Sequence, residues 1–137
     1  MLRSPMEQEI AAWFEKARRD LRAAAVDLAA TPPLLDDAAF HCQQASEKAV
    51  KGRLLASGIA FPTTHDIRMT ADLVIPLEPD LELLLDRAAT LTEYAWLFRY
   101  PGDVFEPSET ETTEALAIAT VVVDALEPRA MAAAAAA

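Results

Sequence analysis

Four polar side chains in one helix-forming stretch are the residues of this sequence best suited to bind a ligand. His41, Gln44, Lys48 and Lys51 follow one another at steps of three, four and three positions. At about 100° per residue, this spacing places them in one line along a helix. We call these four residues the polar stripe. Two ammonium groups, an imidazole and an amide in line are suited to contact the phosphates and base of a nucleotide, or a partner surface.

The rest of this stretch, residues 38–58, is apolar over most of its helical circumference, which indicates a central and largely covered helix. Charged groups are rarely buried without partners. The alternative interpretation of the polar stripe is therefore an interior network. In that network, Lys48 pairs with an acid such as Glu93, and Gln44 satisfies backbone groups.

Three further residues are candidates for the same site. His65 follows Thr64 in the next loop and is expected at the mouth of a groove beside this helix. Arg99 and Tyr100 end a later helix, where Arg99 is suited to bind phosphate. Each also has a structural alternative, since a loop histidine often only packs, and an arginine can cap the last carbonyls of its own helix.

Other kinds of chemistry lack their motifs. The two histidines are 24 positions apart and form no HxxxH pair, so the spacing predicts no metal site. The sequence contains no GxxxxGK[ST] or GxGxxG loop and no GxSxG turn. No cofactor is expected.

Composition predicts a single cytoplasmic domain. The chain has 137 residues, 53% of them hydrophobic, and one cysteine, Cys42, expected as a small core residue in a reducing compartment. No apolar run has the length of a membrane span, and the N-terminus does not resemble a signal peptide. The net charge of −10 comes from residues 61–137, so we expect no non-specific binding to nucleic acid. A phosphate-bearing ligand should be drawn to the neutral first half.

Helical periodicity and capping signals predict an all-α protein. We expect an up-and-down antiparallel bundle of four longer helices and one short helix, in a domain over residues 1–129. The alanine-rich tail, 130–137, is assigned outside the domain. Helix 1 starts after Ser4 and buries a face of Ile10, Trp13, Ala17, Leu21, Ala24 and Leu28. Helix 4 runs from Pro79 to Arg99, and helix 5 follows a capping box at Ser108.

Several blocks of the sequence together resemble the HEPN domain family, whose name stands for higher eukaryotes and prokaryotes nucleotide-binding. The blocks cover roughly residues 7–126. They are Trp13-Phe14, Ala17-Arg18, Asp20-Leu21, AFHCQQASEKAVKG over 39–52, Leu54-Leu55, Gly58, Pro62, Thr64-His65-Asp66-Ile67, Tyr94-Ala95 and Arg99-Tyr100-Pro101.

The resemblance implies a nucleotide-binding or accessory module that often occurs beside a minimal nucleotidyltransferase domain. Ribonucleases of the superfamily carry an arginine followed, after four to six residues, by a histidine. Here no histidine occurs after His65, so the motif is absent at Arg99. The sequence thus favours a non-enzymatic module that binds a nucleotide or a nucleotidyltransferase through the groove beside helix 2. A diverged toxin-like ribonuclease of a toxin–antitoxin pair and a structural homodimerisation module remain the alternatives.

Overall fold

The computed structural model of the protein describes residues 2–97, 101 and 106–137, and these residues form helices and no strand. The all-α prediction is confirmed. The five α-helices are α1 (Pro5–Ala29), α2 (Leu35–Ala56), α3 (Ile67–Val74), α4 (Glu82–Ala89) and α5 (Glu109–Ala136), with short 3₁₀ segments at Pro79–Leu81 and Thr90–Ala95. Within the described ranges, no helix is both long and apolar enough to cross a membrane.

The three long helices, α1, α2 and α5, pack against one another. A carboxylate of Asp20 in α1 contacts Lys48 in α2, whereas the Asp27 carbonyl accepts a hydrogen bond from Leu34 at the α1–α2 turn, so α1 and α2 are antiparallel. Asp80, at the start of the α4 region, contacts Arg129 near the end of α5. The chain therefore runs up and down through α1, α2, α4 and α5, with α3 inserted after α2.

Local capping chemistry sets the helix ends. Ser4 and Ser108 each accept a hydrogen bond from the backbone of a glutamate three residues later, and that glutamate bonds back to the serine N–H. These are the two expected capping boxes. Gly58 adopts φ +68°, and its N–H donates to the Leu55 carbonyl while the next N–H donates to Leu54. This pattern ends α2 in a Schellman motif, which favours glycine at that position.

One helix differs from the expectation, and another extends beyond the predicted domain. The predicted long helix 4 is an eight-residue α-helix between two 3₁₀ segments, although Leu81, Ala88 and Leu91 of its expected seam are buried. Helix α5 continues through the alanine-rich tail to Ala136, with Ala130 and Ala134 buried. The helix therefore does not end at residue 129, although the division of the chain there into domain and tail stays a prediction.

The core lies where α1, α2 and α5 meet, and Ile10, Ala17 and Ala24 of the predicted face of α1 are fully buried. Phe14 is fully buried, and Trp13 is only partly so. Asp20 and Asp27, which are not on the predicted buried face, are each 9% exposed. In α2, Gln43 and Glu47 are also buried. Acidic and amide groups therefore enter the interior along the contact between α1 and α2 and next to the loop after α2.

Candidate functional site

Asp20 of α1 holds the first half of the polar stripe. Its Oδ1 lies 2.8 Å from Nδ1 of His41, and its Oδ2 bonds to Nζ of Lys48. Because an ionised carboxylate only accepts, the His41 Nδ1 carries the proton. Both side chains, His41 and Lys48, remain about one-quarter exposed. Asp20 thus fixes the orientation of His41 and Lys48 while leaving each with a face towards solvent.

Glu47 holds the second half of the stripe from inside α2. Its carboxylate accepts hydrogen bonds from Lys51 Nζ at 2.7 Å, Gln43 Nε2 at 2.8 Å and Gln44 Nε2 at 3.2 Å, and its Oε2 lies 3.0 Å from His65 Nδ1. Burial alone would raise the pKa of Glu47, but hydrogen bonds from Lys51, His65 and Gln43 outweigh burial, so the pKa lies below its usual value. Glu47 therefore stays ionised as a buried acceptor for four side chains.

Lys51 is committed to this interior network. Besides Glu47, its Nζ donates to the Thr64 carbonyl at 2.8 Å and lies 5.7 Å from the centre of the Phe61 ring. Only 11% of its side chain is exposed. His65 differs, because it is 66% exposed while its Nδ1 contacts Glu47. The Gln43 amide also donates to the His65 carbonyl. The loop after α2 is thus tied back to the helix through Glu47.

The structure brings five of the seven predicted site residues to one side of α2, where they form an extensive polar network. The acid that pairs with Lys48 is Asp20 of α1, and the suggested partner Glu93 was wrong. Gln44 bonds to Gln43 and Glu47 instead of to backbone groups. Arg99 and Tyr100, the other two predicted residues, lie outside the part of the chain that the structure describes.

A cavity of about 340 Å³ adjoins the stripe between α1 and α2. It is lined by Glu9, Ala12, Trp13, Lys16 and Lys48. Trp13 was predicted on the buried face of α1 and Lys16 was not among the predicted site residues, so neither was expected at the site. The three-residue spacing of Trp13 and Lys16 is the sequence pattern that indicates this site, because it places an aromatic ring and an ammonium group side by side on one helix.

A second polar cluster lies at the α1–α2 end of the bundle. Potential ligand atoms of Asp27, Asp37 and His41 all lie within 4.8 Å of one another. Burial, proton sharing with Asp37 and repulsion from that carboxylate raise the pKa of Asp27 to about 6. Histidine spacing could not reveal this cluster. The only pattern that indicates it in the sequence is an aspartate, Asp37, four residues before His41. Cys42, close by on α2, is buried as expected, and burial raises the pKa of its thiol to about 12.

Comparison with known proteins identifies the family. The HEPN domain model matches residues 10–129. The crystal structure of TT1696 from Thermus thermophilus is similar, with 32% identity and a TM-score of 0.68 over 88% of this chain and 97% of that one. The crystal structure of ST0689, described as an archaeal HEPN homologue, gives 26% identity and a TM-score of 0.66 over the same shares. No curated protein matches the chain significantly. The chain belongs to the HEPN domain family.

Proposed function

We propose that this chain is an accessory binding module that takes a nucleotide in the groove between α1 and α2. The observation that carries the proposal is the cavity where Trp13, Lys16 and Lys48 meet. Its volume, about 340 Å³, falls at the small end of the range typical of ligand sites. An indole face can stack on a base, and two ammonium groups can contact phosphate oxygens.

The charges of the groove predict weak binding. Lys48 is already paired with Asp20, and Glu9 also lines the cavity, so a phosphate must compete with carboxylates. Hydrogen bonds to charged groups contribute about 1.5–3 kcal/mol each, against the entropic cost of association. We expect dissociation constants on the order of 10 μM to 1 mM. Lys51, held by Glu47 and Thr64, is assigned to the support of the groove instead of to ligand contact.

Calorimetry with adenosine and guanosine mono-, di- and triphosphates tests the proposal. Lys16→Ala and Lys48→Ala should each weaken binding by about tenfold, the equivalent of one charged hydrogen bond. Lys16 makes no ion pair with any described residue, so its variant should fold normally even if Lys48→Ala is less stable. Arg22→Ala removes an exposed charge from α1 outside the cavity and serves as the matched control. No heat at millimolar nucleotide, or equal affinities for all variants, would refute the proposal.

The second candidate is a docking module for a protein partner. Two large apolar side chains, Val26 and Leu34, are 62% and 51% exposed at the α1–α2 end of the bundle. That surface suits either a minimal nucleotidyltransferase, as the family resemblance implies, or a second copy of this chain. A homodimer should avoid the acidic surface of α4 and α5, since like charges repel. Light scattering that shows a stable dimer with no response to nucleotide would favour this candidate.

A diverged ribonuclease is the third interpretation and has less support. Nδ1 of each histidine contacts a carboxylate. Nδ1 of His41 contacts Asp20, and Nδ1 of His65 contacts Glu47. No histidine follows Arg99 in the sequence. General acid–base cleavage of RNA needs two groups that exchange protons with the substrate. The more exposed His65 could serve as one of them, and no described residue is an evident second.

A further inference from the structure

Three side chains meet where α1 ends and α2 begins. Asp27 comes from the last turn of α1, while Asp37 and His41 stand four residues apart on the first turns of α2. Nε2 of His41 lies 3.5 Å from Oδ2 of Asp37, and one carboxylate oxygen of Asp27 completes a set of atoms within 4.8 Å of one another. Two carboxylates and an imidazole are a donor set that first-row divalent cations accept.

The His41 ring is held in the orientation that a metal ligand needs. Because Nδ1 donates its proton to Asp20 at 2.8 Å, the neutral ring presents the lone pair of Nε2 on the side of Asp37. A histidine that binds a metal through one nitrogen usually donates the other N–H to a carboxylate or carbonyl, which fixes its tautomer. Asp20 already supplies this carboxylate, so the ring needs no rearrangement to coordinate an ion.

Asp27 supplies an independent indication that the cluster binds a ligand. The residue is only 9% exposed, and its Oδ2 is buried without a hydrogen-bond partner among the described residues. Buried carboxylate oxygens normally have a partner, because an unpaired one loses its hydration without compensation. Here the nearest groups include a second carboxylate, from Asp37. A cation bound by the cluster would give the Asp27 carboxylate a partner and would offset the repulsion between the two acids.

We propose that Asp27, Asp37 and His41 form a binding site for a first-row divalent cation of the Zn²⁺ class, with Asp20 as the residue that positions His41. Ligand atoms around an ion at about 2.1 Å are about 3.4 Å apart in tetrahedral geometry, so the set must contract slightly. Asp37, whose side chain is 56% exposed, has the freedom to move. The solvent-exposed side of the cluster leaves room for water molecules in the remaining coordination positions of the cation.

The imidazole nitrogen of His41 determines which divalent cations are expected to bind. Imidazole suits Zn²⁺, Co²⁺ and Ni²⁺, whereas Mg²⁺ and Ca²⁺ prefer oxygen ligands and larger or more regular shells. The proposed metal ligands are distinct from the contacts of the nucleotide cavity, Trp13, Lys16 and Lys48, although Asp20 touches both His41 and Lys48. Failure of the nucleotide experiment would therefore leave this proposal standing, and failure of this one would leave the other.

The test uses the untagged chain, stripped with a chelator and titrated near neutral pH. Calorimetry with Zn²⁺ should show one site per chain, and Co²⁺ should give the visible absorption of a low-symmetry site with a nitrogen ligand. Mg²⁺ at the same concentration should give no comparable signal. Asp27→Asn, Asp37→Asn and His41→Gln should each weaken Zn²⁺ binding by at least about tenfold, and Asp20→Asn by about 10- to 100-fold, as for other residues that orient a ligand.

Two controls isolate the site. Asp36→Asn removes the neighbouring charge without removing a proposed ligand, and His65→Gln removes the other histidine. Both should keep the affinity of the wild type within about twofold. Asp37 is exposed, so Asp37→Asn should fold even if Asp27→Asn does not. The proposal is overturned if Zn²⁺ does not bind at millimolar concentration, or if Asp37→Asn and His41→Gln each weaken binding by less than about tenfold.

Discussion

Replacing Glu47 by glutamine should destabilise the protein substantially, although the two side chains have nearly the same shape. Glu47 is 5% exposed, and its carboxylate contacts Lys51, His65, Gln43 and Gln44. Glutamine removes the negative charge and turns one acceptor oxygen into an NH₂ group that faces donors. Lys51, only 11% exposed, would then lack its counter-charge.

The size of the destabilisation depends on which partners of Glu47 can be hydrated once its charge is removed. Leaving one charge of a buried pair without its partner costs about 3–5 kcal/mol. His65 is 66% exposed and can hydrate, and Lys51 keeps the Thr64 carbonyl, so the lower end applies. We expect a loss of about 3 kcal/mol in the free energy of unfolding. For a chain of this length, that corresponds to a fall in Tm of roughly 10 °C.

The loss should depend on pH in a definite direction. The pKa of Glu47 in the folded protein lies below its ordinary value of 4.5, so the unfolded chain binds this proton at higher pH than the folded one. The stabilisation is therefore complete above about pH 4.5 and disappears as the pH falls through the lower folded pKa. The difference in stability between the wild type and Glu47→Gln should be constant near neutral pH and shrink in acid.

Denaturant unfolding at several pH values measures both effects. Lys51→Met, combined with Glu47→Gln, tests the assigned partner, because the double variant should lose less than the sum of the two single losses. Glu114→Gln, on the exposed side of α5, is the matched control and should change stability by less than about 0.5 kcal/mol. A loss below about 1 kcal/mol for Glu47→Gln at neutral pH would show that the carboxylate is hydrated and that the network does not hold the loop.

Two further outcomes are expected. Gly52→Ala should destabilise the protein by about 1 kcal/mol net, because a Cβ at this position would lie only 2.9 Å from Cε2 of Phe14. The cost of this overpacking exceeds the gain in helix propensity. A higher Tm of the variant in thermal unfolding would contradict this prediction. The purified protein should not cleave single-stranded or transfer RNA with or without divalent metal, because the family's arginine–histidine motif is missing. Specific cleavage that disappears in His65→Ala would instead support the ribonuclease interpretation.

Features that depend on a few neighbouring residues were predictable from the sequence. The capping boxes at Ser4 and Ser108 form where expected, because each is made by backbone and side-chain groups within a few positions. The α-helical class followed from periodicity. Helix 4 was predicted too long, because a continuous apolar seam does not distinguish an α-helix from an α-helix flanked by 3₁₀ turns.

Features that depend on the rotation of one helix against another were not predictable. The polar stripe was found from its spacing alone, but its partners, Asp20 on α1 and Glu47 on α2 itself, were not identified. The predicted face of α1 included Trp13, which is only partly buried, and left out Phe14, Asp20 and Asp27, which the structure buries. Ile10, Ala17 and Ala24 are buried as predicted, but periodicity cannot fix the edges of a buried face when apolar residues also occupy neighbouring faces.

The two buried carboxylates divide the polar stripe into parts with different functions. Glu47 holds Lys51 almost completely inside, so that half of the stripe ties the loop after α2 to the bundle. Asp20 holds His41 and Lys48 at the surface of the α1–α2 groove, each one-quarter exposed. Ligand binding is therefore expected only on the Asp20 side. Variants of Lys51 should change stability first, and variants of Lys48 should change nucleotide affinity, although the two lysines are three residues apart on one face of the helix.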